Sequence, residues 1–100
     1  MEPIVEILTK NILSDNNYTR KVKGDYLLLM HRLVNSKTNI IQLYKSMDYP
    51  LLFNVLHEEI LFFNERKKYF LNILDKEIAP ILSDLIETQL LVYQKYLTKL

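Results

Sequence analysis

From Leu51 to Leu100 one helical face is apolar almost throughout. Leu56, Ile60, Phe63, Phe70, Leu74, Ile78, Ile81, Leu85, Val92 and Tyr96 recur at steps of three, four or seven. Alternation with a period of two is absent, so the spacing predicts helices and no strands. The chain has a single glycine, Gly24, and a single alanine, Ala79. One glycine leaves few sites for the positive-φ turns that β-hairpins favour. One alanine means that helices meet through Leu, Ile, Phe and Tyr, which puts their axes at the wide end of the ~8–10 Å range. The expected fold is all-α: a small antiparallel helical bundle of four, or five, helices forming one domain over residues 1–100, with its long helices in the second half.

Pro3 suits a first helical turn, where its missing N–H costs nothing. Ile4, Val5, Ile7, Leu8 and Ile12 then predict a short helix over residues 3–13. The polar run Ser14-Asp15-Asn16-Asn17 predicts a loop, with Asp15 or Asn17 capping the next helix. That helix starts near Tyr18. Val22, Tyr26, Leu29, Leu33, Ile40, Leu43 and Met47 share one heptad phase, with Ser36 as the only polar residue in the seam. Two readings of Asn35–Asn39 compete, a turn between two helices or the middle of one long helix; the unbroken phase favours one helix to Met47. Asp48-Tyr49-Pro50 ends it, because a residue before proline is pushed out of the α region. Asp48 or Tyr49 caps a third helix with Pro50 in its first turn, running to about Ile78. Inside it Asn64–Lys68 is wholly polar, which predicts exposure all round or a bend. A break or sharp kink is expected near Ala79-Pro80, followed by a last helix over residues 81–98.

Several chemistries are disfavoured at once. There is no cysteine, which removes disulfides, thiolate catalysis and cysteine-ligated zinc. The start Met1-Glu2-Pro3 is acidic and the apolar stretch after it is interrupted by Glu6 and Lys10, unlike a signal peptide. No uncharged apolar run reaches the ~18 residues that span a bilayer. These features predict an intracellular, cytoplasmic protein. The net charge is +1, so no whole-chain field points to nucleic acid or anionic lipid. His31 and His57 lack the Glu-x-x-His and His-x-x-x-His spacings of helical metal sites. Ser14, Ser36, Ser46 and Ser83 have no glycine-flanked elbow. The expectation is no enzyme, no cofactor and no metal.

Two basic clusters lie beside tyrosines: Arg20, Lys21 and Lys23, and Arg66, Lys67 and Lys68. They are candidate contacts for an anionic partner, because aromatic rings beside cations can stack on bases; the alternative is a solvated face. The stronger signal is an apolar surplus. Tyr26–Met30, Leu61–Phe63 and Leu90–Tyr93 cover more than one face of their helices, and a helix apolar over a wide arc is buried on several sides. A small bundle cannot place three such helices centrally. An edge of the long helices, Val55, Phe62, Tyr69 and Tyr93, is therefore expected to meet a protein partner or a second copy. The function this predicts is a non-enzymatic protein-interaction module, a homo-oligomer or a subunit or adaptor of a larger helical assembly. The alternatives are a toxin-immunity or inhibitor protein that binds a membrane-associated target, and a nucleic-acid-binding regulator using the basic clusters.

Overall fold

The local signals of the chain resolve into α1 (Pro3–Ser14), α2 (Arg20–Lys45), α3 (Tyr49–Ile73) and α4 (Ala79–Thr98). A computed structural model describes residues 3–100; Met1 and Glu2, read above as an acidic start, lie outside the described residues. The protein is all-α, with four helices and no strand among the described residues. Asn35–Asn39 is helical throughout, so the unbroken heptad phase outweighs the weak local propensity of that stretch. The chain divides into two compact units, Met1–Arg32 and Leu33–Leu100, so α2 contributes its first half to one and its second half to the other.

In the first unit Asp15 is spent on the turn. Its Oδ1 accepts from the Asn17 N–H at 2.9 Å and its carbonyl from the Tyr18 N–H at 3.3 Å. The cap of α2 is instead Thr19, whose Oγ1 accepts from the Val22 N–H at 3.2 Å. This corrects the expected cap: Thr19 stands three residues before Val22, the spacing that satisfies an orphan donor of the first turn. The chain folds back here, and Leu8, Ile12, Tyr18, Val22, Tyr26 and Leu29 are buried.

In the second unit α2 ends in a Schellman motif. The Met47 N–H donates to the Tyr44 carbonyl and the Asp48 N–H to the Leu43 carbonyl, both at 3.2 Å. Met47 has φ 61°, the left-handed conformation usually left to glycine. It leaves the seam and is 72% exposed. Asp48 is the N-cap of α3, with no side-chain cap bond, and Pro50 lies in the first turn.

α3 carries its predicted face, with Leu56, Phe63, Phe70 and Leu74 buried. Glu59 takes the core position expected for Ile60, which is half-buried. The polar run stays helical and is not exposed all round. Arg66 and Lys67 are half-buried, long stems lying along apolar surface, while Asn64, Glu65 and Lys68 face solvent.

The break comes earlier than expected. α3 stops at Ile73, Leu74 is extended with ψ 154°, and Ile78 caps α4. The Asp75 carbonyl accepts the Ile78 and Ala79 N–H groups at 3.0 and 2.9 Å. Pro80 sits in the first turn of α4, where no intrahelical bond is lost. The loop also resets the phase. The buried stripe of α4 is Leu82, Ile86, Leu90 and Tyr93, while Ile81, Leu85, Val92 and Tyr96 are its half-buried flank. α3 and α4 pack together as an antiparallel hairpin, with Phe63 5.8 Å from Tyr93 between ring centres and Lys67 paired with Glu87.

Candidate interaction surface

The candidate partner edge is only partly where the spacing puts it. Val55, Phe62 and Tyr69, each seven residues apart, share one half-buried flank of α3. Arg66 lies between two of them, its guanidinium carbon 5.4 Å from the Phe62 ring centre and 5.6 Å from that of Tyr69. These rings also meet the core edge-on, Phe62 on Phe63 at 5.2 Å and Tyr69 on Phe70 at 4.9 Å. Tyr93 does not join them. It is 0% exposed, because the reset of phase after Ile73 turns it inward. Its hydroxyl accepts from Gln89 Nε2 at 2.8 Å and shares a hydrogen bond with Ser36 Oγ. Ser36, the one polar residue of the α2 seam, is thus the partner that lets a buried tyrosine keep its hydroxyl.

A matching tie exists in the first unit. Thr9 Oγ1 donates to the Val5 carbonyl at 2.7 Å, so the Tyr26 hydroxyl, 2.9 Å away, donates to Thr9. Burial pushes the Tyr26 hydroxyl pKa up.

Both basic clusters are partly engaged. Lys21 pairs with Asp25 at 3.0 Å and Lys67 with Glu87, while Arg66 is held over two rings. Arg20 and Lys68 are exposed and Lys23 is half-buried. His57 is exposed and lies edge-on to Phe53 at 4.4 Å. Among the described residues no group of three His, Asp or Glu side chains is placed to hold a metal ion, and no helix is long and apolar enough to cross a membrane.

At the α2–α3 turn the rings of Tyr44, Tyr49 and Tyr96 cluster, with centres 6.0 Å apart for Tyr44–Tyr49 and 5.3 Å for Tyr44–Tyr96. Lys99 Nζ stands 5.6 Å over Tyr44 and 5.2 Å over Tyr96. This seats the last turn of α4 against the end of α2 and the start of α3.

Sequence reasoning missed a second stripe on α2. One residue after the buried seam, Lys23, Leu27, Met30, Val34, Lys37 and Ile41 repeat at four and three. Leu27 is 48% and Val34 71% exposed; Lys37 is exposed, and Lys23, Met30 and Ile41 are half-buried. A signal for it was present in the charges. α2 holds six basic residues, Arg20, Lys21, Lys23, Arg32, Lys37 and Lys45, against Asp25 alone, a net +5 within a chain of net +1. Averaging over the whole chain hides that segregation.

Compared with protein-family models, with curated proteins and with solved structures, the chain matches none.

Proposed function

We propose that the chain is a non-enzymatic protein-interaction module of the cell interior, working as a homo-oligomer or as a subunit or adaptor of a larger helical assembly. The observation that carries this reading is the amount of large apolar surface left outside a well-filled core. Leu61 is 63% exposed on α3, Val34 71% on α2, and Ile7 and Leu91 are exposed on α1 and α4. The core itself takes Phe63, Phe70, Tyr26 and Tyr93 with little or no exposure. Single exposed leucines are ordinary, but apolar residues repeating along one helix form the contiguous surface that marks binding sites.

The test is sedimentation and light scattering on the purified chain, joined to affinity capture from the native host. Leu27→Glu, Leu61→Glu and Leu91→Glu each place a charge on an exposed position of a different helix and should leave helix content and melting unchanged. At least one should abolish self-association or the retention of a partner. A chain that stays monomeric at high concentration and retains nothing that any of the three releases would end the reading.

A further inference from the structure

We propose that the tyrosine corner at the α2–α3 turn binds an alkylated ammonium group, that of choline or of a trimethylated lysine, in exchange for the Lys99 side chain. The site lies wholly within the second unit, Leu33–Leu100. It does not depend on reading the chain as an interaction module.

Three observations carry it. The first is shape. The ring planes of Tyr44 and Tyr96 meet at 71° and those of Tyr44 and Tyr49 at 46°, so the three rings form a corner and not a stack. The second is the occupant. Lys99 Nζ stands over both Tyr44 and Tyr96, so one cation already meets two ring faces, as in cation–π recognition. Lys99 is exposed, and its ammonium is in no salt bridge among the described residues. The rings alone hold it, and at an exposed site that hold is weak. Tyr49, 41% exposed, has no cation over its ring among the described residues, and is a third wall that Lys99 does not use. The third is the field. Tyr44 stands in the last turn of α2 and Tyr96 in that of α4, the negative ends of two helix dipoles, which favour a cation. The exposed Asp48 carboxylate, with no cap bond and no salt bridge, adds a negative charge in the same turn. Exposed Lys45 and Lys95 offset it. The corner therefore draws a cation through its rings and helix ends, with little help from net charge.

These features select the class of ligand. The primary ammonium of Lys99 is compact and strongly hydrated. An alkylated ammonium spreads the same charge over methyl groups and loses less hydration on leaving water. It is also broad enough to touch three rings where Lys99 touches two. A neutral group of the same shape lacks the attraction to the negative ring faces, and an anion is repelled by them.

The experiment follows the tyrosine ring resonances of the full chain by NMR. The probes are choline chloride, its neutral isostere 3,3-dimethylbutan-1-ol, and a short peptide carrying either trimethyl-lysine or unmodified lysine. Choline should shift the rings of Tyr44, Tyr49 and Tyr96 and leave Tyr18, Tyr26 and Tyr69 unmoved. It should bind about fivefold or more tightly than the neutral alcohol, with an affinity that changes little as salt rises. Lys99→Gln removes the competing ammonium and should tighten binding several-fold. Tyr49→Leu, at an exposed position, should weaken it several-fold with helix content unchanged. Preference for the trimethyl-lysine peptide over its unmodified twin identifies a protein as the source of the group; binding of choline and of neither peptide identifies a free organic cation. Equal binding of choline and the alcohol, equally tight binding of the two peptides, or no shift with any probe overturns the proposal. So does a Lys99→Gln chain that melts lower and binds choline no better, because the rings then serve only to clasp the end of α4.

Discussion

Each of the two units holds one tyrosine with no exposure at all, and they hold it differently. Tyr26 in the first and Tyr93 in the second are both 0% exposed, and both bring a hydroxyl to a helical Thr or Ser. The buried set of the first unit is small: besides Tyr26 it holds Leu8, Ile12, Tyr18, Val22 and Leu29. Thr9 is already satisfied by the Val5 carbonyl, so Tyr26 adds a bond without being needed by its partner. Around Tyr93 lie Phe63 and the aliphatic stripes of α3 and α4, and both Ser36 and Gln89 depend on the tyrosine oxygen. One tyrosine decorates a small core; the other joins three helices of a large one.

The largest effect should come from the large core. Phe70→Ala should cost about 3–5 kcal/mol, since the ring is buried and its loss leaves a cavity. Chemical denaturation measures it, and a cost below about 1 kcal/mol would show that the second unit does not depend on that ring.

The tyrosine comparison is sharpened by removing one oxygen at a time. Tyr93→Phe should cost about 1–3 kcal/mol, because the Ser36 hydroxyl and the Gln89 amide both lose their partner. Tyr26→Phe should cost about 1 kcal/mol or less, because Thr9 keeps its own acceptor. Equal costs would erase the distinction drawn here.

Alkaline pH probes Tyr26 in a second way. The Tyr26 pKa is raised in the folded chain, so above the ordinary tyrosine range the unfolded state gives up a proton that the folded state keeps. Stability from this group is full below about pH 10, the unfolded value, and falls as pH rises through the folded value. Tyr26→Phe should flatten that part of the alkaline decline; urea midpoints taken at rising pH would show it.

Thr19→Ala should destabilise by about 1 kcal/mol, since it removes the cap of α2, whereas Asn17→Ala should do little. Hydrogen exchange at Val22 reports the difference. The smallest effects are stabilising. Gly24→Ala should add about 0.5–1 kcal/mol, because its Cβ meets open space in a helix. Met47→Gly should add a similar amount by relieving the left-handed residue at the end of α2. Thermal melts that fall on either substitution would show contacts at those positions that this fold does not contain.

What was legible in the residues was whatever depends on near neighbours. Helix type follows from spacing, the unbroken α2 from its heptad phase, and the buried face of α3 from Leu56, Phe63 and Phe70; the end of α2 came from the left-handed turn at Met47, and Tyr49, expected outside the α region, opens α3. The serine in the α2 seam was visible as an anomaly, although its partner was not. Three things were decided only by the folded chain. Ending α3 at Ile73, with no glycine or proline to mark it, reset the rotation of α4 and moved Tyr93 from an expected edge into the core. A helical period counts turns only while the helix continues, so a five-residue loop from Leu74 to Ile78 erases the register that the sequence seems to carry across it. The cap of α2 went to Thr19 because Asp15 was consumed by the turn, a competition settled by geometry. And which of the two adjacent stripes of α2 would be buried was settled by packing: both repeat at seven, and only the one bearing Tyr26, Leu29, Ser36 and Ile40 found partners, leaving the row of Leu27, Val34 and Lys37 outside.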